Sequence, residues 1–201
     1  MISYRKLAMR VLGHSPVSAV KTARRSTGKR AAALALTAAL VVGMTLPAFA
    51  GTWYIEDGDI SISAGESGNK VVQNGEEKAA NDTDTVIKSN YPSTASEHTV
   101  TINAEEGKTV DVTLNNVTIN VDEGYKYGYD PNAYKTAVSV TGSGNTNIEL
   151  NGNNTLTSGS GHAGLEHNKT DDSGTLTITD NDNDGKLDAK GGTGIGGGYA
   201  N

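Results

Sequence analysis

The feature that most constrains the fold is a segment that recurs in order along the second half of the chain. Residues 112–120, VTLNNVTIN, are echoed at 148–157, IELNGNNTLT, and a third copy at 176–189 is interrupted by a turn rich in Asp and Asn. Each copy is followed by a glycine-bearing loop and a short third segment; these segments are residues 137–140, 163–166 and 194–197. Units of three short strands, repeated every 25 to 40 residues or so, are typical of the coils of a parallel β-helix.

Everything after residue 51 is patterned as short strands separated by Gly, Asn, Asp and Ser, with no helical period. The predicted strands are residues 53–55, 59–63, 99–103, 110–114, 117–121, 137–141, 147–150, 155–158, 175–179 and 186–189. The chain is therefore predicted to be all-β, and the preferred architecture is a parallel β-helix. A β-sandwich is the alternative, because it also uses short alternating strands. The repeat favours the β-helix, since sandwich strands need not resemble one another in series.

Asparagine and glycine are expected to form the corners of the coils. Asn tolerates the left-handed backbone conformation and hydrogen-bonds locally. The glycine tract 191–198 is predicted to be a tight corner of the last coil, and Trp53 is predicted to cap the first coil, because an open β-helix requires a cap. The predicted corner asparagines are Asn115, Asn116, Asn151, Asn153 and Asn154.

The first fifty residues have the pattern of a helical secretory signal peptide. They contain eight Lys and Arg and no Asp or Glu, and an apolar run spans residues 31–46. Ala48 and Ala50 provide the small side chains that precede a cleavage site, so the mature chain is predicted to begin at Gly51. A transmembrane anchor is the alternative, because the apolar run is only slightly shorter than the roughly 20 residues that span a bilayer.

Removing this segment leaves an acidic chain. Nine Lys and no Arg remain against all 23 acids, a net charge of −14. Nucleic acids and anionic lipids are bound through Lys and Arg, so neither is an expected partner, and no membrane insertion is expected after cleavage. The absence of Cys means that an exported chain must be stable without disulfides, which is common in bacterial surface proteins.

The stretch 111–154, the motif GSGHAGL at 159–165 and the motif GIGGG at 194–198 together resemble the large exported β-helix proteins of anaerobic gut bacteria. More distantly, they resemble the clostridial carbohydrate-binding β-helix domains. The resemblance covers roughly residues 53–201 and carries no catalytic signature. It implies a right-handed parallel β-helix at the cell surface that, in some members, binds acidic plant polysaccharide with calcium.

The sharpest local motif is DNDNDG at residues 180–185, which fits the first half of a calcium-binding loop. The twelfth position is Gly191 instead of the usual bidentate Glu, so Asp188 at the ninth position is the candidate replacement. An exported protein meets calcium at concentrations of about 10⁻³ M, which fill even weak sites. The alternative is a solvated turn between strands. The predicted calcium ligands are Asp180, Asp182, Asp184 and Asp188.

Four tyrosines lie close together in a predicted loop, and they are candidates for carbohydrate binding because sugar C–H faces pack on aromatic rings. Aromatic residues on a long loop also simply pin the loop to the coil beneath it, and that alternative stays open. The four residues are Tyr125, Tyr127, Tyr129 and Tyr134.

These patterns predict a secreted or cell-surface protein that is not an enzyme and that has a binding or adhesive role toward polysaccharide or host glycan. One alternative is a structural repeat segment of a larger surface protein, with no ligand site of its own. A less favoured alternative is a polysaccharide lyase, which requires a base near bound calcium. Lys186 is the only obvious candidate for that base, because no Arg follows Arg30.

Overall fold

The computed structural model describes residues 50–122, 135–170 and 172–197. The chain divides into two compact units, residues 1–46 and 47–201, and the described residues belong to the second unit. The predicted signal peptide lies outside the described residues except for Ala50. Between Ala50 and residue 197 the described residues form strands joined by turns, with one short 3₁₀ turn at Ile55–Asp57.

The strands form three sheets, and pairing between successive coils is parallel throughout. The first sheet is β1 (Thr52–Tyr54), β5 (Thr85–Lys88), β7 (Thr109–Asn115), β10 (Asn145–Asn151) and β13 (Leu176–Thr179). The second sheet is β8 (Thr118–Asn120), β11 (Asn153–Thr157) and β14 (Lys186–Lys190). The third sheet contains β2 (Ile60–Ala64), β6 (Val100–Asn103), β9 (Val138–Thr141), β12 (Ala163–His167) and β15 (Thr193–Gly196).

The chain visits the three sheets in the same order in each coil. Strands β7, β8 and β9 form one coil, β10, β11 and β12 the next, and β13, β14 and β15 the last. The result is a β-solenoid of about four turns, which confirms the predicted parallel β-helix and excludes the β-sandwich. The three copies of the sequence repeat are these three coils, and their third segments are the strands of the third sheet.

The core consists of rows of small apolar side chains stacked from coil to coil. On β7 and β10 every second residue is buried, and the pairing aligns Val112 with Ile148 and Leu114 with Leu150. A strand exposes alternate side chains on opposite faces, so a one-residue change of register would turn the whole row outward. This constraint explains why the alternating pattern could be read from the sequence.

The turn between the first and second sheets is an asparagine corner at Asn116, as predicted, whereas the other predicted corner residues lie within strands β7, β10 and β11; these are Asn115, Asn151, Asn153 and Asn154. Asn116 has a left-handed backbone, with φ of 55°, and Gly152 occupies the equivalent turn one coil later with φ of 65°. Asn154 is buried, and its side chain accepts a hydrogen bond from Val117 N at 3.0 Å and donates to the carbonyl of Lys186 at 3.3 Å. One side chain thus links three consecutive coils.

The N-terminal end carries a hairpin that the sequence patterns did not predict. Strands β3 (Asn69–Gln73) and β4 (Glu76–Asp82) extend the third sheet beyond β2, and both pairings are antiparallel. The turn is Asn74-Gly75, with φ of 51° and 76°. Asn-Gly is the strongest short-range hairpin signal because both turn positions need positive φ. The Asn-Gly signal was present in the sequence, but the charged residues of β4 are not typical of a strand, so the hairpin was not predicted.

Trp53 lies on β1 at the same end, and its ring packs against the core. Its indole Nε1 donates to Asp82 Oδ2 at 2.7 Å, so the residue fastens the first coil to the hairpin. The cap predicted at Trp53 is thus assembled jointly with β4.

The glycine tract 191–198 was predicted to be a corner of the last coil, and Gly191 and Gly192 do form the bend between β14 and β15. Residues 193–196, in contrast, are the strand β15, which pairs with β12 and aligns Ile195 with Leu165. Gly194 is exposed in this strand, so the position loses little side-chain packing.

Candidate functional site

The outer face of the first sheet forms a groove of about 370 Å³ lined almost entirely by polar side chains. These side chains alternate with the buried core residues along β7, β10 and β13, so the strand period itself places them outward. The outward residues of these strands that line the groove are Asp111, Thr113, Asn147, Glu149, Thr177 and Thr179.

The groove residues form rows that cross the strands. The pairing aligns Asp111 with Asn147 and Asn147 with Thr177, and the amide of Asn147 donates to Asp111 Oδ1 at 2.8 Å. Adjacent strands lie about 4.8 Å apart, so each row presents carboxylate, amide and hydroxyl groups at a regular interval. The surface therefore offers a periodic series of hydrogen-bond donors and acceptors.

A second depression of about 360 Å³ adjoins the groove, and Thr83 and Asp111 line both. Its other side is the turn between β2 and β3, where Gly65 N donates to Gly68 O at 2.7 Å. Lys108 lines this depression, whereas the described residues that line the first groove include no basic side chain. The two depressions together form a polar surface that runs from the N-terminal hairpin to the last coil.

Three carboxylates converge where the groove meets the turn between β13 and β14. One oxygen each from Glu149, Asp180 and Asp182 lies within 4.8 Å of the others, and these three residues could hold a metal ion. Glu149 comes from β10, one coil before the two aspartates. The pairing aligns Glu149 with Thr179, the residue that precedes Asp180, and this register creates the cluster.

The turn is held by hydrogen bonds to two of these carboxylates. Asp180 Oδ1 accepts from the backbone N of Asp184 at 3.1 Å and of Gly185 at 3.0 Å. Glu149 accepts from Asn181, through the backbone N at 2.6 Å and the side-chain amide at 2.7 Å, and also from the hydroxyl of Thr179. Hydrogen bonds to the turn thus hold the cluster in place, which reduces the rearrangement that a cation would require.

The electrostatics of the turn between β13 and β14 favour neutralisation of the Asp182 carboxylate. Removal of water from the carboxyl group, followed by the negative charge of Asp184, raises the pKa of Asp182 above its ordinary value of 3.8. A carboxyl group whose ionised form is disfavoured gains from a proton or from a cation.

The structure separates the four predicted calcium ligands. Asp180 and Asp182 belong to the carboxylate cluster, whereas the carboxylate of Asp184 accepts from Gly152 N at 3.2 Å. Asp188 lies exposed on β14 and pairs with Lys190 at 2.7 Å. Glu149 is the member of the carboxylate cluster that sequence reasoning missed, although alignment of the repeats would have placed it beside the motif.

The predicted tyrosine platform lies outside the described residues, because residues 123–134 are not among them. Lys186, the candidate base of the lyase alternative, is exposed on β14, and the residues that line the groove do not include it. In the described part of the chain, no helix has the length and apolar character needed to cross a bilayer. Comparison with protein-family models, curated proteins and solved structures finds no match for the chain.

Proposed function

We propose that the chain is an exported surface protein that binds carbohydrate through the groove on the outer face of the first sheet. The observation that carries this proposal is the periodic row of carboxylate, amide and hydroxyl groups across β7, β10 and β13. A glycan is itself a periodic series of hydroxyl groups. A shallow polar surface with repeated donors and acceptors suits such a ligand better than it suits a compact apolar molecule, which requires an apolar pocket.

The negative charge of the groove restricts the glycans that it can bind. Asp84, Asp111 and Glu149 line the groove without a basic partner among the described residues, so an anionic chain is repelled. We infer that the ligand is a neutral glycan, or an acidic glycan bridged by a cation. These two cases differ in their response to removal of divalent ions.

Calcium is the cation we propose for the cluster of Glu149, Asp180 and Asp182. Hard oxygen ligands suit calcium, and exported modules bind it with dissociation constants of about 10⁻⁴ to 10⁻³ M. The preformed turn and the disfavoured charge of Asp182 support this assignment. Isothermal titration of the apo protein with CaCl₂ tests it, with E149Q as the variant expected to lose the heat of binding.

Binding to immobilised neutral and acidic polysaccharides, with CaCl₂ or with EDTA, tests the function. N147A combined with T177V removes polar groups from one row of the groove and should weaken binding about tenfold or more, because glycan hydrogen bonds at the centre of the site are lost. T101V on the outer face of β6 is the matched control and should leave affinity unchanged. Equal affinities for the two variants would exclude the groove.

The tyrosine loop is the competing location for the same function. Y127A combined with Y129A should leave affinity within about twofold if the groove is the binding surface, because the polar side chains of β7, β10 and β13 then supply the contacts with the glycan. Loss of binding in the tyrosine variant with retention in the groove variant would transfer the site to the loop.

The same polysaccharides distinguish the two alternatives to a binding role. A structural segment binds none of the polysaccharides, with or without calcium. A lyase releases unsaturated products from pectic substrate, and this release should disappear in K186A if Lys186 is its base. The lack of a basic residue among the described lining of the groove is the reason that we favour binding over cleavage.

A further inference from the structure

We propose that cleavage of the predicted signal peptide between Ala50 and Gly51 converts a buried hydrogen bond into a buried ion pair that stabilises the N-terminal cap. In the unprocessed chain the backbone N of Gly51 donates to Asp82 Oδ1 at 2.9 Å, and both residues are buried. Cleavage replaces this amide with an α-ammonium group, which is positively charged at pH 7. The inference rests on the export that we propose for the chain, because export supplies the cleavage.

Asp82 is a buried carboxylate without a cationic partner among the described residues. It is 1% exposed, and it accepts hydrogen bonds from the backbone N of Gly51, the backbone N of Asp84 and Nε1 of Trp53. The ion pairs formed by the described Lys and His side chains are all with other acids. A buried charge is costly unless an opposite charge pairs with it. An ammonium group at the Gly51 nitrogen supplies that opposite charge.

The position of the Gly51 nitrogen is fixed by the residues around it. The carbonyl of Gly51 accepts from Val86 N at 3.0 Å, at the point where β1 begins to pair with β5. A Cβ on Gly51 would lie 2.6 Å from the Trp53 ring and 2.8 Å from Asp82 Oδ2, so a larger residue would displace both side chains. Because the nitrogen is already held beside the carboxylate, the ion pair forms without ordering any further group.

The surroundings of Gly51 also limit the cost of burying the new charge. Ala50 is exposed, so the space beside the cleaved bond is open to water, which can hydrate the N–H groups of the ammonium that do not face Asp82. A hydrogen bond between charged groups is roughly twice as strong as one between neutral groups. Cleavage therefore strengthens the attachment of the first coil to the hairpin through a contact that already exists.

Insertion of one alanine between Ala50 and Gly51 tests the role of the charge. The full chain is produced in a bacterial host that cleaves secretory signal peptides, and mass spectrometry identifies the first residue. The wild-type product should begin at Gly51. The insertion variant should begin at the added alanine, because cleavage after that alanine would place the bulky Phe49 where a small side chain is required. Its Gly51 nitrogen is then an amide again, and the charge lies one residue away.

Urea denaturation of the two processed chains measures the ion pair. The equilibrium constant for unfolding should be about tenfold or more larger for the insertion variant, because a neutral donor replaces a charged one. D82N should raise this constant in both chains, and by about tenfold more in the chain that begins at Gly51, since only that chain has an ion pair to lose. D84N removes an exposed carboxylate two residues later and is the matched control, with an equal effect in both chains.

The outcomes distinguish failure of the ion pair from failure of the proposed function. A wild-type product that keeps residues 1–50, or begins at another residue, overturns the ion pair together with the predicted cleavage site. A product that begins at Gly51 but unfolds with the same constant as the insertion variant overturns the ion pair alone. An equal effect of D82N in the two chains, or an unequal effect of D84N, also overturns it. Polysaccharide binding by the groove is measured separately and does not depend on these results.

Discussion

The first and last described coils of the solenoid differ in how completely their apolar side chains are buried. At the N-terminal end the hairpin covers β2, so that Ile62 is fully buried between β3 and β6. On the last described coil Ile178 packs against the core but is only partly buried, and 53% of the surface of Ile195 is exposed. A solenoid coil contacts only its neighbours, so the first coil gains its burial from a dedicated cap.

The largest expected difference between the ends comes from truncating an isoleucine at each. Ile62→Ala should lower the free energy of unfolding by about 3 kcal/mol, because it leaves a cavity in a closed core. Ile178→Ala should lower it by about 1 kcal/mol, since a partly exposed side chain has less burial to lose. Urea denaturation of the two variants measures both losses. Equal losses would show that the last coil is as enclosed as the first.

The second effect tests the fastening of the N-terminal cap. Asp82 is buried, and its carboxylate accepts from Gly51 N at 2.9 Å, Trp53 Nε1 at 2.7 Å and Asp84 N at 3.2 Å. Asp82→Ala leaves these three donors without an acceptor and should lower the free energy of unfolding by about 2 to 3 kcal/mol. Asp84→Ala, an exposed acid two residues later, is the control and should change stability by less than about 0.5 kcal/mol. A similar loss for both variants would contradict the cap.

The third effect concerns the last coil and the proposed calcium. With a dissociation constant of about 1 mM, 10 mM CaCl₂ should stabilise the folded chain by about 1.4 kcal/mol. Thermal unfolding with CaCl₂ and with EDTA measures this difference. E149Q should abolish the stabilisation, and E106Q, on an exposed turn, should retain it. Stabilisation that survives in E149Q would place the ion elsewhere.

The smallest effect distinguishes the surface charges of the two ends. At β4, the hydrogen bond from Lys78 and then its positive charge lower the pKa of Glu76 below its ordinary value of 4.5, so ionised Glu76 favours folding and this contribution is lost as the pH falls. The raised pKa of Asp182 has the opposite sign, because its ionisation opposes folding as the pH rises.

Carboxyl chemical shifts recorded by NMR in EDTA measure both pKa values. K78A should raise the pKa of Glu76, because it removes the hydrogen bond and the charge of Lys78, and D184N should lower the pKa of Asp182, because it removes the negative charge that adds to the effect of desolvation. An unchanged pKa in either variant would assign the shift to another neighbour.

The fold could be predicted because successive coils repeat the same alternation of buried and exposed residues and the same corner. The buried rows at Val112 and Ile148 have the same alternation in successive coils, and Asn116 marks the same corner as Gly152. The hairpin β3–β4 occurs once, so no sequence repeat predicts it. Its outer strand, EEKAAND, consists of residues that strands usually avoid, and it becomes a strand because it pairs with β3.

Two of the three carboxylates of the candidate site could be predicted from the sequence, for a related reason. Asp180 and Asp182 are close in sequence, so a local motif identifies them. Glu149 lies 31 residues before Asp180, and only the stacking register of β10 and β13 brings it to the turn. The groove is equally a product of register, since Asp111, Asn147 and Thr177 come from three coils and form no motif along the chain.

The antiparallel hairpin also gives the molecule a direction of assembly. It precedes every coil from β5 onward in the sequence, so it is synthesised before them. The hairpin and β2 need no later segment to pair with one another, whereas each subsequent coil requires the strand edge of the coil before it. We expect folding to begin at this end and to advance one coil at a time, with each completed coil serving as the template for the next.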